Sequence, residues 1–123
     1  MKTILLVEDE VDIREALAEA LADENYQVLT ATNGQEGLEA ALLHHPDLIL
    51  LDIKMPVMTG SEMLAQLRLD DWGQKAHVVM LTAMDDTTSI ASTHASGISD
   101  YIIKAHHSLD EIMRKVREAL YTA

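Results

Sequence analysis

Apolar residues along this chain fall into two patterns: short unbroken runs, and longer stretches where they recur every three or four residues. Residues 3–7, 48–51, 77–81 and 101–103 belong to the first pattern. Such runs are too short for helices, and with neither face polar they read as strands buried on both sides of a parallel sheet. Residues 27–31 are more polar and read as a short edge strand. Between the runs, Ile13, Leu17 and Leu21 mark an amphipathic helix over 11–23. Asn33 and Glu36 have capping-box spacing and open a helix that buries Leu38 and Leu42 and stops before Pro46. Pro56 and Gly60 force a loop, after which Met63, Leu64 and Leu67 mark a helix over 60–69. Residues 70–73 form a turn in which Trp72 is partly covered. Residues 85–96 carry Ile90 as their only large apolar residue, which predicts a soft helix, the least ordered in the chain, ended by Gly97. Ser108 and Glu111 then box a final helix striped by Leu109, Ile112, Met113, Val116 and Leu120. Five strands alternating with five helices over 1–123, without repeats or linkers, predict one α/β domain with helices on both faces of a parallel sheet.

In such a sheet the carboxyl ends of all strands share one rim, where ligands bind. The predicted strands end at Glu8 and Asp9, at Asp52, at Thr82 and at Lys104. A lone Asp after a strand usually opens a turn, and an acidic pair usually caps the next helix. Five such groups on one rim are harder to explain that way. Crowded carboxylates repel one another, so the cluster becomes sensible around an oxygen-seeking dication. Mg²⁺ suits it, because it takes few carboxylates, keeps waters and shares phosphate oxygens. Lys104 adds a second positive charge for a bound anion.

Composition removes other chemistries. Hydrophobic residues are 48% of a 123-residue chain, enough for a real core, and with no Phe the seven methionines help fill it. The absence of cysteine excludes disulfides and thiol catalysis. The six histidines show no metal-ligand spacing and are expected at the surface, and no Gly-rich phosphate loop is present. A net charge of −12 disfavours nucleic acid and anionic membranes. No apolar run is long enough to span a membrane, and the first residues are too few for a signal peptide, so a cytoplasmic location is expected.

Ile4-Leu-Leu-Val-Glu-Asp-Glu10, residues 47–60 around Asp52, Leu81-Thr-Ala83, and residues 97–104 with Tyr101 and Lys104 together resemble the receiver domain of two-component response regulators, the CheY-like superfamily. The resemblance spans essentially the whole chain. It implies a flavodoxin-like (βα)5 sheet in strand order 2-1-3-4-5, with Asp9 and Asp52 within ~8 Å of each other to share one Mg²⁺. It implies that Asp52 accepts a phosphoryl group from a histidine kinase or phosphotransfer protein. Mg²⁺ (or Mn²⁺) would be held by Glu8, Asp9, Asp52 and the backbone carbonyl of Lys54. Thr82 would move its hydroxyl onto the phosphoryl group, beside the Ala83 N–H. Lys104 would pair with that group, and Tyr101 would act as an aromatic switch. The surface of helix 85–96, the fifth strand and the last helix would then meet partners or a second copy. Such a protein promotes its own dephosphorylation but is not a turnover enzyme, and no output domain is expected within these residues. Met84 and the Lys54 side chain, near the expected phosphoryl site, are candidates for tuning its lifetime.

Two other readings stand beside this one. A phosphoester hydrolase of the aspartyl-phosphate type usually carries a second Asp two residues after its nucleophile, where this chain has Lys54. A receiver-like interaction module that works without phosphorylation would keep the fold and lose the chemistry. One departure from the family keeps it open: Ala105 follows Lys104 where receivers usually have a cis proline. A cis bond costs ~2.5–4 kcal/mol without proline, against ~0.5–1 kcal/mol with it. The Lys104–Ala105 bond is therefore expected to be trans, and phosphorylation slower, or the switch weaker, than in a proline-bearing relative.

Overall fold

The computed structural model describes residues 1–53, 55–82, 97, 98, 100–104 and 108–121. Along the chain these form β1 (Thr3–Val7), α1 (Val11–Asp23), β2 (Gln27–Ala31), α2 (Gly34–His44), β3 (Leu48–Asp52), α3 (Gly60–Leu67), a 3₁₀ turn (Gly73–Lys75), β4 (Val78–Thr82), β5 (Asp100–Ile103) and α4 (Leu109–Tyr121). The expected helix over 85–96, with its expected softness, lies outside the described residues. The strands make one parallel sheet in the order β2-β1-β3-β4-β5, as expected.

The unbroken apolar runs have the predicted cause. Residues 4–7 of β1 and 48–51 of β3 are fully buried, because the sheet is covered on both faces. Leu5, Val7, Ile49 and Leu51 join Met63, Leu64 and Leu67 of α3 on one face. Ile4, Leu6, Leu48 and Leu50 join Leu17 and Leu21 of α1 and Ile112, Met113 and Val116 of α4 on the other. Each such side chain contributes about 1.5–3 kcal/mol on burial, so these strands anchor the described part of the fold.

Three helices depart from the sequence reading. In α2, Leu42 is exposed, and the inward face is made of Gly34, Gly37 and Ala41. A Cβ on Gly37 would lie 2.8 Å from Val7 Cγ2 and 2.9 Å from Met63 Sδ. At Gly37 the helix approaches Val7 and Met63 too closely for a larger side chain, while Leu38 packs partly buried against the same cluster. Asn33 caps α2 by accepting from Glu36 N at 2.9 Å, but the Glu36 carboxylate turns to Thr32 N and Oγ1 instead of closing the box. The boxes at Thr59 with Glu62 and at Ser108 with Glu111 are complete. In α4, Leu109 is exposed, and burial begins with Ile112 one turn later. Helix α3 ends at Leu67, two residues early, where Arg68 donates to the carbonyls of Gly73, Ala76 and Gly97 at 2.6, 3.0 and 2.9 Å. Trp72 is a half-buried loop residue, stacked on His45 with ring centroids 4.3 Å apart. Among the described residues no helix is long and apolar enough to cross a membrane.

Candidate functional site

Because β1 lies between β2 and β3, the chain leaves the carboxyl ends of β1 and β3 toward opposite sides, which opens a crevice there. Register pairs Val7 with Leu51, so Glu8 and Asp52 come next on adjacent strands. Asp52 pairs with Leu81, and Thr82 with Ile103, immediately before Lys104. The predicted rim is therefore the real one.

Both central carboxylates are buried, Glu8 at 0% and Asp52 at 5% exposure. Lys104 Nζ lies 2.6 Å from Glu8 Oε1 and 3.1 Å from Asp52 Oδ2, with Glu10 Oε1 at 4.0 Å. The Asp52 contact is a hydrogen bond donated by the ammonium. The closer Glu8 contact is an ion pair between the ammonium and a fully buried carboxylate oxygen. Glu8 Oε2 accepts from Glu10 N at 3.2 Å. One oxygen each from Glu8, Asp9 and Asp52 lies within 4.8 Å of the others. Two oxygens bound to one Mg²⁺ at ~2.1 Å stand at most ~4.2 Å apart, so a small closure would bring the three onto one ion. The ~8 Å limit is met.

Burial is the largest influence on Asp52, followed by the adjacent Glu8 carboxylate. Together these outweigh Lys104 and push the carboxyl from its ordinary 3.8 up to about 7. Burial also works against the Lys104 ammonium, but its pairing with Glu8 and Asp52 prevails and raises its pKa. The lysine alone thus leaves Asp52 only partly ionised at neutral pH, and full ionisation calls for a further cation. A raised carboxyl pKa means that the folded protein holds a proton the unfolded chain has lost. Between pH ~4 and ~7 metal-free protein should therefore lose stability as pH rises, on the order of 2–4 kcal/mol in all. Urea denaturation in EDTA should show this slope in the wild type and a shallower one in Asp52→Asn; equal slopes would contradict it.

Glu8, Asp9, Asp52 and Lys104 are thus brought together. Thr82 ends β4 on the same rim, its side chain outside the described residues, as are Lys54, Ala83, Met84 and the Lys104–Ala105 bond. Tyr101 is half-buried in β5, against the cluster on the α2–α3 face. Even without a proline after it, Lys104 reaches Asp52. Sequence reasoning passed over Glu10 and Arg14. The Arg14 guanidinium donates to the backbone carbonyls of Glu8 at 2.9 Å and Asp9 at 3.4 Å. Its place one turn into α1, behind an acidic pair, was the available signal.

Residues 4–117 match the family model described as the response regulator receiver domain. The chain is 36% identical over 120 residues to response regulator ArlR of Staphylococcus aureus, covering 98% of this chain and 53% of that protein. It thus spans about half the length of the curated relatives it matches. Among solved structures it is similar to chemotaxis protein CheY4 of Vibrio cholerae, with TM-score 0.89, 28% identity, and 98% and 99% of the two chains covered. It is also similar to response regulator TrrA of Thermotoga maritima in complex with Mg²⁺ and BeF, with TM-score 0.85, 38% identity, and 98% and 100% covered. Strand order, rim and family match agree: the chain belongs to the response regulator receiver domain family of two-component signalling, with the CheY-like flavodoxin fold.

Proposed function

We propose that Asp52 receives a phosphoryl group from the phosphohistidine of a histidine kinase or phosphotransfer protein, with Mg²⁺ bound beside it. The observation that carries this reading is the buried Glu8–Lys104–Asp52 arrangement, with the Asp9 carboxylate alongside. The residues fit the ion. Glu8 Oε1 is buried beside two further carboxylates, three acidic groups that the single Lys104 ammonium does not balance. Glu8, Asp9 and Asp52 would hold Mg²⁺ together with the Lys54 carbonyl, which is assigned by resemblance. Once bound, the ion would neutralise charge on the phosphoryl oxygens.

Transfer of this kind needs positioning and charge neutralisation more than covalent help. A carboxylate oxygen of Asp52 attacks phosphorus as the P–N bond breaks, and the electron pair leaves with the imidazole nitrogen. The product is an acyl phosphate, a labile mixed anhydride. Lys104 Nζ, already 3.1 Å from Asp52 Oδ2, pairs with a phosphoryl oxygen. Thr82 donates its hydroxyl proton to another, and Tyr101 fills the space that Thr82 vacates. That movement biases the surface of residues 85–96, β5 and α4 toward partners or a second copy. Hydrolysis resets Asp52, and with Lys54 where phosphoester hydrolases usually carry a second Asp, small phosphoesters are not expected to be turned over. The presence of every acidic and basic group argues against a module that has lost the chemistry. Borohydride reduction after transfer from a phosphohistidine donor should convert residue 52 to homoserine. Label recovered at any other residue would overturn the assignment, and turnover of a generic phosphoester would favour the hydrolase.

A further inference from the structure

We propose that Arg14 is a positioning residue for the metal centre, holding the β1–α1 turn so that the Glu8 and Asp9 carboxylates face the ion; this rests on the Mg²⁺ reading above. The turn is fixed from several directions. Glu8 N donates to Ala31 O at 3.0 Å, which ties it to the end of β2. Glu10 N donates back to Glu8 Oε2, and Arg14 N to Glu10 O at 2.9 Å. The carbonyls of Glu8 and Asp9 lie past the last residue of β1, beyond the sheet ladder. Their partner is the half-buried Arg14 guanidinium, one Nη1 shared between both. A carbonyl oxygen and the side chain of the same residue move with one backbone. Holding two successive carbonyls, the first at 2.9 Å and the second more loosely at 3.4 Å, therefore restrains the directions in which two successive side chains leave the backbone.

A positive charge and a positioning clamp make opposite predictions. Arg14 stands beside a site built for a cation, so its charge alone weakens Mg²⁺ binding, and its removal would tighten it. Its hydrogen bonds strengthen binding by pre-organising the ligands, and removing groups that orient metal ligands typically costs ~10–100-fold in affinity. The geometry assigns the larger effect to the clamp. Arg14→Ala should bind Mg²⁺ about ten-fold more weakly than wild type, despite losing a repelling charge. Arg14→Gln, uncharged but still a donor, should recover part of the loss.

Isothermal titration of the metal-free proteins with MgCl₂ reads the affinity, and Tm in EDTA reports folding. Weaker binding in Arg14→Ala with partial rescue in Arg14→Gln supports the clamp. Equal or tighter binding in Arg14→Ala overturns it while leaving the metal reading intact. No Mg²⁺ binding by wild type overturns both. If Arg14→Ala does not fold, Arg14→Gln decides by itself: binding about two- to five-fold weaker than wild type supports the clamp, and equal or tighter binding overturns it. Faster exchange of the Glu10 amide in metal-free Arg14→Ala is expected as well, and exchange unchanged from wild type would count against the clamp.

Discussion

Lys104→Ala should bind Mg²⁺ more tightly than wild type and yet take up a phosphoryl group ten- to a hundred-fold more slowly. The two effects have opposite signs because the ammonium serves two states differently. In the resting protein Lys104 Nζ stands 2.6 Å from Glu8 and 3.1 Å from Asp52, as the counter-ion in the place a dication would take. Deleting it removes a competitor and leaves two buried carboxylates with a stronger demand for Mg²⁺. In the proposed transfer the same ammonium would neutralise charge on the phosphoryl group, and losing a pre-placed donor to developing charge commonly costs ~10²–10³-fold in rate. Bound Mg²⁺ supplies part of that neutralisation, hence the smaller figure expected here. Titration calorimetry and the initial rate with a small phosphodonor separate the two. Weaker Mg²⁺ binding would mean that the lysine organises the metal site, and an unchanged rate would mean that it is idle in transfer.

Gly60→Ala should destabilise the protein by about 3 kcal/mol or more and displace Asp52. A Cβ built on Gly60 would sit 1.9 Å from the backbone oxygen of Asp52 and 2.9 Å from Ile53 Cα. Both neighbours are backbone, so no rotamer change relieves the overlap. Gly60 N also donates to Ile53 O at 2.8 Å, which folds the start of α3 back onto the end of β3. That close approach holds the Asp52 peptide in place, so the added methyl group strikes stability and site together. Urea denaturation should show the loss. A change below ~1 kcal/mol would show that the loop yields easily and does not fix Asp52.

The parts of this molecule that were legible in its sequence share a cause. β1, β3 and β4 are buried on both faces, so their apolar runs had few other readings, and the residues ending them fell on the rim by topology alone. Asp52, Glu8 and Asp9 were visible for that reason, and Lys104 because it follows the short apolar run of β5. The inward face of α2 was not, because Gly34, Gly37 and Ala41 act there by being small, and a hydrophobic pattern weights Leu42 above them. Arg14 was passed over because its partners are backbone carbonyls, which leave no residue type for a sequence to display. The raised pKa of Asp52 also depends on burial, which the acidic spacing suggests without ranking Lys104 against Glu8.

The most direct test is intact-mass measurement after incubation with acetyl phosphate and Mg²⁺. Wild type should gain a single phosphoryl group, lose it again with time, and gain none in EDTA, while Asp52→Asn should gain none under any of these conditions. An unmodified wild type, or an equal gain in Asp52→Asn, would contradict the assignment of Asp52 as phosphoacceptor.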